Sequence, residues 1–311
     1  MNCPACNEHD LSIQEKGVDF TFLRCSSCEL IFTETMKAGD EEFYSQHEVY
    51  RYSSSDDARS QKLFFQRTSF FKKELKQIRA GGRLLDVGCG YGGLVSYAGD
   101  LGLNARGIDF NAQQIEIGRS VFQLTENQLC YANTKTLQEM INNNVKFDCI
   151  CLFEVLEHVD DPKNLIQQAV DLLEDDGTIL ISCPNEDRLQ PTGRVYVDYP
   201  PHHLTRWKPL TLQAMMEKFD FTLCRSDFDF DLIDFLWVPL INRQAKRRQR
   251  YVKSSDEATA NASYLRKIVR SSRRSFFNYV KFTSRIISLP GKFFGFGTMG
   301  ARYVFKRKSQ C

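Results

Sequence analysis

The sequence predicts an α/β fold: a doubly wound, Rossmann-like parallel sheet, preceded by a small cysteine ribbon and followed by a basic helical insertion. Strand-like apolar runs alternate with helix-periodic segments from residue 81 onward, the pattern of βαβ units. A glycine-rich turn, LLDVGCGYGG at 84–93, directly follows the first such run. Two C-x-x-C pairs stand within the first 28 residues.

The elements follow in chain order. Cys3, Cys6, Cys25 and Cys28 form two knuckles with 18 residues between them, a spacing that presents four thiolates to one Zn²⁺, with FTFLRC as a short strand between. No position is left open on such an ion, so the zinc expected of this ribbon, residues 1–35, is structural. Residues 36–80 read as a helical lid or linker. Asp57 to Arg79 has helical periodicity and stops at Gly81-Gly82. Tyr44, Tyr50 and Tyr52 precede that helix, placed either to close over a cationic cofactor or to pack on the ribbon.

The core spans 81–228. It has predicted strands at 83–87, 105–109, 147–152, 178–182 and 221–227, and helices at 92–101, 111–122, 135–143, 161–173 and 210–219. Residues 185–209 interrupt this alternation as a candidate acceptor lid. Residues 229–311 form the insertion and a last strand at 301–307.

Composition sets the class. A chain of 311 residues with 42% hydrophobic content can bury a full core. No secretory leader or run of about 18 apolar residues is present, which reads as a cytoplasmic protein. The 11 cysteines, several in core strands (Cys149, Cys151, Cys183), suit reduced thiols. The net charge of +2 is unevenly spread: residues 1–240 carry 23 Lys+Arg and 37 Asp+Glu, residues 241–311 carry 18 and 2. Within the basic part, 262–288 read as an amphipathic helix, with Leu265, Val269, Phe276 and Val280 on one face and arginines on the flank. It suits peripheral contact with an anionic membrane, a polyanion such as nucleic acid, or docking on the core with its arginines in water. With Cys311 last in the sequence, a C-a-a-X box is not expected.

In an open α/β sheet the ligand sits at the strand C-terminal ends, facing the loop at Gly88, Gly90, Gly92 and Gly93. Asp109, 21 residues after Gly88, closes the next strand and suits two ribose hydroxyls, which does not distinguish a dinucleotide from S-adenosylmethionine. Asp86 does. An anionic side chain at the mouth of the loop repels a pyrophosphate and favours the ammonium and sulfonium of S-adenosylmethionine.

LLDVGCGYGG, GIDFNAQQIEIGR, FDCICLFEVLEHVDDP and LLEDDGTILISCPN resemble the successive motifs of class I S-adenosylmethionine-dependent methyltransferases, over residues 81–185. The cysteine pairs, FYSQHEVY and PPHHLTRWKPLTLQAMMEKFDF resemble a bacterial subgroup with a zinc-binding N-terminus, whose members often act on sugars or cell-surface glycans. The resemblance implies that Asp86, Gly88, Gly90 and Gly92 form the methionine end of the site. It gives Asp109 the ribose, sets Phe110 beside the adenine, and places Phe153 and Glu154 against the cofactor's reactive side. Where the family usually offers an acid to the adenine amino group, this chain has Asn133.

Two clusters can serve the acceptor. Glu154, Glu157 and His158 fall at i, i+3 and i+4, one face of a helical turn. They suit a divalent cation that lowers an acceptor hydroxyl's pKa, as in the ubiquinone-pathway O-methyltransferases whose motif this resembles. The competing reading makes Glu154 a helix cap and His158 a packing residue. In YPPHHLTRW, His202 or His203, with His203 ahead, suits proton abstraction from a hydroxyl, and Arg206 suits a phosphate or carboxylate, with Tyr199 and Trp207 beside them. The expectation is methyl transfer to an oxygen of a small molecule, a sugar or glycan intermediate. The alternatives are a ubiquinone-pathway-like O-methyltransferase, a zinc-ribbon RNA methyltransferase and a non-catalytic binding module.

Overall fold

A computed structural model describes residues 1–39, 53–132, 135–187, 194, 198–230 and 298–310. The chain divides into two compact units. One comprises Met1–Pro184, Tyr199–Asp227 and Ala301–Cys311, and the other Asn185–Asp198 and Phe228–Gly300. Tyr44, Tyr50, Tyr52, Asn133, Cys311 and the 262–288 helix lie outside the described residues, as does most of 188–197.

A seven-stranded sheet is built from β4 (Arg83–Val87), β5 (Asn104–Asp109), β6 (Leu129–Tyr131), β7 (Phe147–Phe153), β8 (Leu173–Pro184), β10 (Phe221–Phe230) and β11 (Thr298–Arg307). Its order is β10-β11-β8-β7-β4-β5-β6. β4 pairs in parallel with β5 and β7, β5 with β6, and β7 with β8. The expected strands all form. β8 runs longer than expected, and β6 was not foreseen, because LCY is too short to show a period.

Strand order reverses across β4, so the crevice of this sheet opens at the C-terminal ends of β4 and β7. The runs LLDV and CICL are buried almost throughout, as expected of central parallel strands covered on both faces.

Crossover helices are capped by their own sequence. Asn111 accepts from Gln114 N (3.1 Å) ahead of the helix Ala112–Phe122, and Asp161 accepts from Asn164 N (2.9 Å) ahead of Pro162–Leu172. The single helix expected over 57–79 is instead two: α1 (Ser55–Arg67) and α2 (Ser69–Leu75). Thr68 breaks it, taking an extended conformation while its hydroxyl donates to Phe64 O at 2.8 Å. Phe65, Phe70 and Phe71 from these helices join the core under β4 and β7.

The ribbon strands β1 (Leu11–Lys16), β2 (Thr21–Cys25) and β3 (Ile31–Thr33) form a second sheet whose fourth strand, β9 (Thr205–Arg206), comes from far downstream in the chain. Nine cysteines are free thiols among the described residues, as expected; Cys224 is disulfide-bonded and departs from that expectation. No helix among the described residues is long and apolar enough to cross a membrane.

Candidate functional site

Gly88, Gly90 and Gly92 all have positive φ, at 72°, 55° and 73°. At Gly88 the need is also steric. A Cβ there would lie 2.5 Å from Val155 Cγ2, so the turn after β7 packs directly on the loop after β4.

Asp109 braces the same loop: its Oδ2 accepts from Gly90 N and its Oδ1 from Asn111 N, each at 2.8 Å. A carboxylate has room for further donors on both oxygens, so ribose hydroxyls can still be received. Asp86 is buried beneath the loop. Burial first, and the neighbouring Asp109 second, push its carboxyl well above the usual range, while burial also raises Asp109. Two buried acids held toward neutrality form a site that a cation would charge and a pyrophosphate would not.

Gln61 on α1 was not foreseen, since a glutamine on an amphipathic helix carries no distinguishing sequence signal. Its Oε1 accepts from Gly93 N at 2.8 Å, at the start of the helix α3 (Gly93–Asp100), and its Nε2 donates to Cys89 O at 3.2 Å. Beside it Lys62 Nζ bonds Ser96 Oγ (2.8 Å) and pairs with Asp100 (2.7 Å). The helix before the core is thus fastened to the glycine loop.

Phe110 presents an exposed ring (42%) beside Asp109, as an adenine-stacking face requires. Phe153 packs edge-on to Phe71 at 4.8 Å.

After Phe153 the expected helical turn is not what forms. Glu154 has φ 55°, a left-handed conformation uncommon outside glycine. This turns its side chain toward β8, where Ser182 Oγ donates to Glu154 Oε1 at 2.8 Å. Glu154 is therefore neither a helix cap nor grouped with Glu157 and His158.

The third member of their group is His203. Ligand atoms of Glu157, His158 and His203 lie within 4.8 Å of one another, and the two imidazoles meet edge-on with centroids 4.7 Å apart. His158 Nδ1 donates to the His202 carbonyl at 2.7 Å, and its Nε2 is 3.8 Å from Glu157 Oε1. Burial, and then His203, push His158 down to about 3, so the ring is neutral at physiological pH. His202 is buried and contributes its carbonyl to this contact.

Arg206, read as a phosphate or carboxylate contact, packs on the ribbon instead, as does Tyr199, while Trp207 is a core residue. The Arg206 guanidinium lies 3.7 Å above the Phe22 ring and pairs with Glu15 at 2.8 Å. Trp207 is fully buried and donates from Nε1 to Thr205 Oγ1, and Tyr199 packs on Phe20 at 5.1 Å. Phe22 of β2 offers the cation–π face that holds Arg206, and Phe20 just ahead of that strand holds Tyr199.

In the ribbon, the Sγ atoms of Cys3, Cys6, Cys25 and Cys28 lie within 4.8 Å of one another, with Cys3–Cys28 at 3.5 Å and Cys6–Cys25 at 3.4 Å. Four thiolates about 2.3 Å from one tetrahedral ion need separations only slightly larger, so this donor set fits Zn²⁺.

Residues 58–226 match the family described as "Methyltransferase domain", more than half of the chain, and the chain belongs to that family. It is 36% identical over 109 residues to a ubiquinone biosynthesis O-methyltransferase of Glaesserella parasuis serovar 5 (strain SH0165), covering 34% of this chain and 46% of that protein. The corresponding protein of Pelagibacter ubique (strain HTCC1062) is 28% identical over 178 residues, covering 53% of this chain and 70% of that one. The chain thus spans about half the length of several curated relatives it matches. A crystal structure of a SAM-dependent methyltransferase from Archaeoglobus fulgidus superposes with a TM-score of 0.50 at 18% identity, over 84% of this chain and 100% of that one. The fold is the α/β, Rossmann-like methyltransferase fold.

Proposed function

We propose that the protein transfers a methyl group from S-adenosylmethionine to a hydroxyl oxygen of a small molecule. The observation that carries this is the gathering of His203 with Glu157 and His158, the latter two on the turn whose Val155 packs against the glycine loop. Bound S-adenosylmethionine would supply an electrophilic methyl group; Asp86, Asp109, Phe110 and the loop would hold it. Displacement at a sulfonium asks the protein mainly to align the acceptor and exclude water. A hydroxyl acceptor must also lose its proton, and His203 is the group assigned to take it. His158, neutral and oriented by the His202 carbonyl, steadies that imidazole through the edge-on contact of the two rings. Single-turnover methylation tests the assignment: His203→Ala is expected to lower the rate by roughly a hundredfold, and an unchanged rate removes His203 from the chemistry.

A divalent cation at the same three residues is a second reading, favoured by the His158 Nδ1–carbonyl contact, which is how a metal-bound histidine is commonly oriented. It would lower the acceptor hydroxyl's pKa. Under this reading, removing loosely bound Mg²⁺ or Mn²⁺ while the ribbon stays loaded abolishes turnover, and adding the ion back restores it.

Relatives named as O-methyltransferases support an oxygen acceptor. A sugar or glycan acceptor rests on the ribbon-bearing subgroup resemblance; competition between a sugar nucleotide and a polyprenylated catechol separates the two. An RNA substrate is disfavoured at the ribbon, because residues 1–39 carry six Asp+Glu against three Lys+Arg, the wrong sign for a phosphate backbone.

A further inference from the structure

We infer that the cysteine ribbon is a positioning element for the Glu157–His158–His203 cluster, so that metal loading at Cys3, Cys6, Cys25 and Cys28 sets the place of the candidate catalytic imidazole. The inference rests on the reading of that cluster given above.

The path from thiolates to imidazole is short and continuous. Cys25 closes β2 and Cys28 lies in the turn to β3, with Cys25 N bonded to Leu30 O (3.0 Å) and Glu29 N to Cys25 O (3.0 Å). The knuckle therefore fixes the β2–β3 turn, and with it the outer edge of β3. That edge takes up β9: Ile31 opposes Arg206 and Phe32 opposes Thr205, and Thr33 N donates to Leu204 O at 2.9 Å.

On its other side the same segment is tied to the turn after β7. Leu204 N donates to Glu157 O at 2.7 Å, Thr205 Oγ1 to Leu156 O at 3.1 Å, and His158 Nδ1 to His202 O at 2.7 Å. Residues 202–206 are thus a strap gripped by the ribbon on one side and by the functional turn on the other. His203 sits within it.

The helix α7 (Pro209–Glu217) and the residue ahead of it close the grip from behind. Thr211 Oγ1 donates to Cys28 O at 2.7 Å, and Lys208 Nζ pairs with Glu29 at 2.9 Å. Two residues of the knuckle are held directly by the segment that carries the strap. A ribbon used only for contact with a macromolecule has no need of these bonds.

Without the ion, four thiols crowded within 4.8 Å lose the bond that gathers them, and the β2–β3 turn loses its template. The strap then loses one of its two holders while the glycine loop, braced by Asp109 and Gln61, keeps its own.

Amide hydrogen exchange of the full chain, zinc-loaded and after stripping with a strong chelator, tests this without reference to an acceptor. Exchange in peptides covering 202–207 is expected to accelerate at least about tenfold on stripping, with 84–95 unchanged and S-adenosylmethionine affinity within about twofold. Acceleration confined to residues 1–33, with 202–207 still protected, overturns the inference. Should stripping open the whole chain, Thr211→Val decides, because it keeps all four cysteines and removes only the hydroxyl on Cys28. Faster exchange at 202–207 is then expected, and unchanged exchange overturns the inference. Failure of His203→Ala to slow methylation would remove the catalytic reading and leave this exchange result standing.

Discussion

His158 Nδ1 stands 2.7 Å from the carbonyl oxygen of His202. A carbonyl only accepts, so the proton is on Nδ1 and Nε2, 3.8 Å from Glu157 Oε1, carries the ring's free lone pair. Nitrogen-detected NMR of the imidazoles should show His158 as the neutral Nδ1–H tautomer at pH 7. His158→Ala should cost about ten- to a hundredfold in kcat, as expected for loss of a group that orients a catalytic neighbour, with little change in S-adenosylmethionine affinity. An Nε2–H tautomer would contradict the geometry.

Gln61 bridges Cys89 and Gly93 with both ends of its amide. Gln61→Leu leaves the Gly93 N–H and the Cys89 carbonyl to find water at the edge of the cofactor crevice. Loss of two hydrogen bonds predicts destabilisation of about 1–3 kcal/mol. The cofactor Kd should rise by roughly tenfold, since the loop is no longer preorganised. Thermal melts and calorimetry on the same samples check both.

Gly88 combines positive φ with a blocked Cβ. Gly88→Ala should cost about 1–3 kcal/mol from the strained backbone and further from the clash. Adding Val155→Ala should recover the clash and not the strain, so a double-mutant cycle on Tm should show positive coupling with incomplete rescue. Full additivity would mean that the two turns do not touch.

Much of this was legible before any coordinates. The strands flanking the crevice, the glycine loop, Asp86 and Asp109 announce themselves because period, spacing and charge are local properties of a sequence. The two C-x-x-C pairs do so for the same reason. Gln61 and Ser182 were silent, since their roles depend on partners 28 to 32 residues away, brought close only by the fold. The His203 pairing with Glu157 and His158 was half visible: both motifs stood out, and only the strap through β9 joins them. Arg206 misled because an arginine in a loop looks like a ligand contact until a ribbon face is found beneath it.

Asp86 and Asp109 give a pH dependence with a definite sign. Their folded-state carboxyls are raised, so between the ordinary carboxylate range and the raised value the folded chain holds more protons than the unfolded one. Their contribution to the stability of the unliganded protein therefore falls as pH rises through that window. A cationic cofactor favours ionisation, so binding should release protons and tighten with rising pH. Calorimetry in two buffers of different ionisation enthalpy measures the release directly, and Asp86→Asn should reduce it.

The central claim is that the crevice beside Asp86 takes a cationic methyl donor. Calorimetric titration of the full chain with S-adenosylmethionine, and separately with NAD, tests it most directly. The account predicts one S-adenosylmethionine bound per chain, weakened at least about tenfold by Asp86→Asn, and no binding of NAD. Binding of NAD, or S-adenosylmethionine binding indifferent to Asp86→Asn, would contradict it.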